Sequence, residues 1–272
     1  GVERLVELIK LDNNLSNPAI FPIIKHDDSE VSSFLAACEK IRNKYPSSVF
    51  FSTDPNQQGT FRFKLLGFPV SIHWSFVILP ILLGSQSGVD AIDQTRSVLI
   101  CIIVFFISIL GHELGHALAY RSFGGSAQIM IHGMGGMAVS HGSFNRKQKI
   151  IITSAGPLFG LAMGIICILL AMFLDLKSIS KYLEQFLSLM IYLNILWSFF
   201  NLLPIIPSDG GQLLGHIMHE RKPALRGKIG GFTAIVFGLL LFKLNYIFGA
   251  IILGYLAYQN FKAADRARRG YW

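Results

Sequence analysis

Apolar runs of membrane length alternate with short polar or basic segments through most of this chain. Leu65 to Val89 is 25 residues without a charge, and Ser97 to Tyr120 is 24 with one acid, counting histidine as neutral. Ile150 to Leu174 is another uncharged 25 and Gln185 to Leu203 follows it. Ile229 to Phe242 is only 14, flanked by Lys228 and Lys243, and Leu244 to Phe261 adds 18. About 20 apolar residues cross a bilayer as a helix, and flanking lysines can snorkel around a shorter run. The pattern predicts an all-α polytopic membrane protein with about six transmembrane helices.

Two segments break the pattern. Ala127 to Ser140 is too short and too rich in glycine to span, and predicts a small β-hairpin at the membrane edge. Residues 1–64 are polar and mixed, without a cleavable signal-peptide pattern. There Val31, Phe34, Leu35, Cys38 and Ile41 recur at helical spacing, Pro46 ends that helix, and Val49-Phe50-Phe51 suits a strand. The expected divisions are a water-facing segment of unknown role over 1–64, a six-span core over 65–262 and a basic tail over 263–272.

Composition agrees with a membrane protein: 52% of the 272 residues are hydrophobic and only 15% charged, against about 25% charged in soluble domains. The net charge of +8 could suggest nucleic acid, but its distribution points to the lipid bilayer instead. With six spans, 20 of the 24 basic residues fall in segments on one side of the membrane and 4 on the other. Positive-inside then places both termini in the cytoplasm, as for a plasma (inner) membrane protein. Cys38, Cys101 and Cys167 are far apart, so neither a disulfide framework nor a thiolate zinc site is expected.

The candidate chemistry lies in the second run, at His112-Glu113-Leu114-Gly115-His116. Four residues apart on a helix, the two histidines project from one face and can share one metal ion, with Glu113 beside it to move a proton from water. An acid at mid-membrane costs about 2.5 to 3.5 kcal/mol, which favours function over accident. Two histidines leave zinc short of a third protein ligand. The uncharged run from Gln185 ends on an isolated carboxylate, Asp209, in Asn201-Leu202-Leu203-Pro204-Ile205-Ile206-Pro207-Ser208-Asp209-Gly210-Gly211. Asp209 supplies an oxygen ligand of the right kind, or alternatively caps the helix that follows. The charge tally puts it on the same side of the membrane as the two histidines. Asn201 could donate to a substrate carbonyl or oxyanion, or serve as interhelical glue. His73 reads as interfacial or packed rather than catalytic, and His132 and His141 as structural or exposed.

These residues resemble the site-2 protease family of intramembrane zinc metalloproteases. The resemblance runs from about Phe63 to Phe261 and includes Ile72-His73-Trp74-Ser75, the His112–His116 motif, the glycine-rich hairpin, Ala155-Gly156-Pro157 and Asn201 to Gly211. It implies one Zn2+ per chain held by His112, His116 and Asp209, Glu113 as general base and acid, and transmembrane protein substrates unwound and cut within or near the bilayer. It also implies that the hairpin pairs with the unwound substrate, as in strand addition to a sheet edge. Ser208 stands where the family usually has an apolar residue and Gly160 where it often has Asn. Neither a PDZ domain in a loop nor a CBS domain in the tail is expected. Two competing readings are a zincin with Glu184 as third ligand, which the charge tally puts on the wrong side, and a catalytically inactive metal-binding protein or metal transporter.

Overall fold

The computed structural model describes residues 59–85, 90–133, 135–174, 180–218 and 222–269. The helix and strand expected before residue 52 lie outside the described residues.

Strands β1 (Thr60–Leu65) and β2 (Phe68–His73) pair antiparallel about a Leu66-Gly67 turn, where both φ angles are positive (52° and 87°). β2 then pairs in parallel with β3 (Ser126–His132), with Val70 opposite Ile129, and β3 folds back antiparallel onto β4 (Gly135–His141). The predicted hairpin is therefore half of a four-stranded sheet of order β1-β2-β3-β4.

The first predicted span is not one helix. After β2 comes a 3-10 turn, Trp74–Val77, and then α1, only Ile78–Gly84. Gly67 and Pro69 break any helix at its start, and β3 supplies partners for the extended backbone, so strand is tolerated there without water. The composite still covers distance. Six strand residues, one 3-10 turn and seven helical residues reach about 38 Å. It runs alongside α2 (Ala91–Ser122): Arg121 donates to Leu66 O at 2.7 Å at one end, and a Cβ at Gly84 would lie 2.9 Å from Val98 Cα at the other.

α2 starts at Asp90, whose carboxylate accepts from Asp93 N at 2.8 Å, and stops where Gly124 turns at φ +78° and Gly125 N donates to Tyr120 O. α3 (Arg146–Phe173) opens with an Asn145/Gln148 capping box and continues through Pro157. Gly160 and Gly164 let α4 (Lys181–Leu202) approach: a Cβ at Gly164 would lie 2.7 Å from Ile195 Cδ1, and one at Gly160 would overlap Ser198 Oγ. A short helix α5 (Asp209–Ile217) precedes the hairpin of α6 (Pro223–Lys243) and α7 (Ile247–Arg268).

Among the described residues, α2, α3, α4 and α6 are long and apolar enough to cross a bilayer. α7 follows the sixth predicted run but continues to Arg268, carrying Lys262, Asp265 and Arg266. The sheet packs Val70, Ile129 and Ile131 against Phe105 and Ile109 of α2. Outward, Leu158, Ile165 and Met172 on α3 and Phe232, Val236 and Leu239 on α6 are exposed at helical spacing. Soluble monomers rarely show apolar faces of this extent, so the outer surface is one made for lipid.

Candidate metal centre

The helical pitch of α2 brings His112 and His116 together, with ring centroids 4.9 Å apart and Nε2 atoms 3.3 Å apart. His116 Nδ1 lies 2.8 Å from Ile152 O on α3, and a carbonyl can only accept. Nδ1 therefore carries the proton, and Nε2 presents its lone pair to the site. A Cβ at Gly156 would overlap the His116 ring, so α3 makes room for this imidazole with a glycine.

Asp209 reaches the same point from α5. Helix capping falls to its neighbour: Ser208 is the N-cap, accepting weakly from Gly211 N at 3.5 Å and donating to Ile205 O at 2.6 Å. That is the use of the polar residue at 208, and it frees the Asp209 carboxylate. Asp209 Oδ2 sits 3.0 Å from His112 Nε2 and 3.3 Å from His116 Nε2.

Three potential ligand atoms thus lie 3.0 to 3.3 Å from one another. An imidazole lone pair and a carboxylate oxygen repel unless a cation or proton lies between them. Ligands about 2.0 to 2.1 Å from a tetrahedral zinc ion stand about 3.3 Å from each other. The donor set and its spacing fit zinc. The His112 Nδ1 atom is buried, with no hydrogen-bond partner among the described residues.

Glu113, 5% exposed, faces the sheet. A Cβ at Gly136 of β4 would come within 2.5 Å of Glu113 Cγ. The hairpin therefore covers the acid on the side away from the bundle. Asn201 lies at the end of α4 and donates to Trp197 O one turn back at 3.0 Å; among the described residues no hydrogen bond joins it to the three clustered side chains. His73 is buried as the cap of the 3-10 turn, with Nδ1 2.7 Å from Ser75 Oγ, and His132 is half-buried, its pKa lowered by burial and by His73.

Several residues escaped sequence reasoning. The interhelical asparagine is Asn194, not Asn201: buried in α4, it donates to Ser108 Oγ on α2 at 2.9 Å, one turn before His112. Asn260, buried on α7, hydrogen-bonds the loop before Asp209. Both stand as polar residues in apolar runs, and that was the available signal.

Residues 89–208 match the family model described as Peptidase M50B-like, and residues 175–242 match Peptidase family M50. The first match contains His112, Glu113 and His116, and the second contains Asp209. The fold is similar to a solved site-2 protease from Methanocaldococcus jannaschii, with a TM-score of 0.50 at 24% identity over 76% of this chain and 94% of that one. The chain belongs to the site-2 protease family. Among curated proteins, a zinc metalloprotease of Methanocaldococcus jannaschii is 26% identical over 75% of this chain and 60% of its own length. Rip3 of Mycobacterium tuberculosis is 26% identical over 74% of this chain and 56% of its own. This site-2 protease family chain thus spans about three-fifths of the length of the curated relatives it matches.

Proposed function

We propose that the chain is a zinc-dependent intramembrane endopeptidase that cleaves transmembrane segments of other membrane proteins. The observation that carries this reading is the meeting of His112 Nε2, His116 Nε2 and Asp209 Oδ2 at 3.0 to 3.3 Å, with the buried Glu113 carboxyl next in sequence to one of them. The relatives named zinc metalloproteases support the same metal and reaction class.

His112, His116 and Asp209 would hold the ion. The chemistry a bound zinc ion supplies is Lewis acidity, which acidifies water and polarises a carbonyl. Glu113 takes the proton from the attacking water and returns it to the leaving amine. The β4 backbone at Gly136 packs against the Glu113 carboxyl and keeps bulk water from that side. Asn201, half-buried at the mouth of α4, keeps its side-chain oxygen and second amide hydrogen outside any hydrogen bond among the described residues. It would offer them to substrate backbone freed by unwinding. A substrate helix must unwind first, because its carbonyls are otherwise spent on its own hydrogen bonds. The site end of the bundle, with Arg121, Arg146, Lys147 and Lys149, faces the cytoplasm.

Glu113→Gln tests this directly. The variant is expected to abolish cleavage of a co-expressed single-span substrate while still binding one zinc per chain. Continued cleavage would remove the proton-transfer role. Metal bound without cleavage even by the wild type would favour the inactive metal-binding alternative.

A further inference from the structure

The metal-site side chains are supported from two sides. His116 is backed by α3 through Ile152 O and Gly156, and α3 packs with α4 against α2. Asp209 opens α5, whose far end Arg146 of α3 holds through His216 O and Ile217 O, while the loop Leu203–Ser208 that leads into Asp209 is held by the C-terminal hairpin. Leu203 and Ile205 pack with Ala234 of α6 and with Leu253 and Ala257 of α7.

Asn260 is the polar part of that hold. It is fully buried on α7. Its Nδ2 donates to Ile206 O at 2.8 Å and its Oδ1 accepts from Ile206 N at 3.0 Å. One amide therefore satisfies both backbone groups of one loop residue, as a neighbouring strand would. Nδ2 also reaches Leu256 O, at 2.8 Å, which fixes the side chain to its own helix. α6 makes room for it: a Cβ at Gly230 would overlap Asn260 Oδ1, and one at Gly227 would lie 2.6 Å from Asn260 O. Ile206 is three residues from Asp209. A rotation of its peptide would pass along Pro207 and Ser208 to the carboxylate.

We propose that Asn260 is a positioning residue for the metal centre, through which the α6–α7 hairpin sets the place of Asp209. The inference rests on the zinc-site reading above. Losing a supporting hydrogen bond behind a metal ligand commonly costs 10- to 100-fold in affinity. The Asn260 bonds act on loop backbone rather than on the ligand atom, so the lower end applies.

The test is zinc affinity of the full chain in detergent, measured by chelator competition, with the d–d spectrum of the cobalt-loaded chain as second readout. Asn260→Ala is expected to weaken zinc about tenfold and to change the cobalt spectrum. Asn260→Asp keeps the size and the acceptor for Ile206 N but loses the donor, and is expected to fall between. In an Asp209→Ala background, Asn260→Ala should have no further effect on zinc. Unchanged affinity in Asn260→Ala overturns the proposal, as does an equal loss with and without Asp209, which would mark a general folding role. If the alanine variant does not fold, unchanged affinity in Asn260→Asp overturns it. Should Asp209→Ala alone leave zinc affinity intact, the underlying site reading fails, a result separate from failure at Asn260.

Discussion

Gly156 and Gly136 carry functional weight without any chemistry of their own. The first leaves space for the His116 ring and the second for the Glu113 carboxyl. Neither has a positive φ, so substitution tests space alone. Gly156→Val is expected to displace His116, lowering zinc affinity at least tenfold and cleavage with it. Gly136→Ala should leave zinc affinity within about twofold, because its Cβ meets Glu113 and not a ligand. Its cleavage rate should fall about a hundredfold, the scale of an ångström-sized misplacement of a reacting group. Equilibrium zinc binding beside cleavage assays separates the two; identical behaviour of both variants would contradict the division between ligand and proton carrier. The histidines and Glu113 were legible in sequence because i, i+4 spacing is itself a geometric statement. The glycines were not, since their need depends on which side chain lies across the helix or strand interface.

At the scale of elements, the span-length run from Leu65 to Val89 shows what hydropathy cannot resolve. Apolar length reports burial and leaves open whether backbone groups are paired within a helix or across a sheet. Gly67, Pro69, Val70 and Ile72 carried the strand signal inside that run. The pairing partner that allows a strand at this depth, β3, lies more than fifty residues on. Ser75 shows how the junction is closed. Its Oγ accepts from Gly133 N at 3.0 Å and meets His73 Nδ1 at 2.7 Å, tying the end of β3 to the 3-10 turn. Ser75→Ala leaves the Gly133 N–H and the His73 ring without this partner, at a cost of about 1 to 3 kcal/mol. A lower thermal midpoint in detergent is expected, with faster amide exchange at Gly133 than in the α3–α4 pair. Uniform exchange across both regions would mean that Ser75 serves global packing instead. The α2, α3 and α4 helices, by contrast, were legible almost to their ends, because each is a long apolar run closed by caps of its own sequence.

For the whole molecule, orientation follows from how charge divides between the two ends of the bundle. The end near the metal centre carries Arg121, Arg146, Lys147, Lys149, Arg226 and Lys228, and α7 brings its last basic turns back to the same end. The far end carries Arg96, Lys181 and Lys243, and two of these are already matched: Lys181 Nζ lies 2.7 Å from Asp93 Oδ2 and Arg96 Nη1 3.5 Å from Asp93 Oδ1. The asymmetry in basic residues survives the replacement of the first predicted helix by strand and short helix, because that composite also runs from one end to the other. Single cysteines placed in a background lacking Cys38, Cys101 and Cys167 convert this into a measurement. Ser143→Cys, in the exposed linker before α3, marks the metal end, and Tyr246→Cys, in the turn between α6 and α7, marks the far end. In right-side-out vesicles an impermeant maleimide should modify Tyr246→Cys at once and Ser143→Cys only after permeabilisation. The reverse order would place the metal centre on the outer side and invalidate the cytoplasmic assignment, while leaving the geometry of the three ligands untouched.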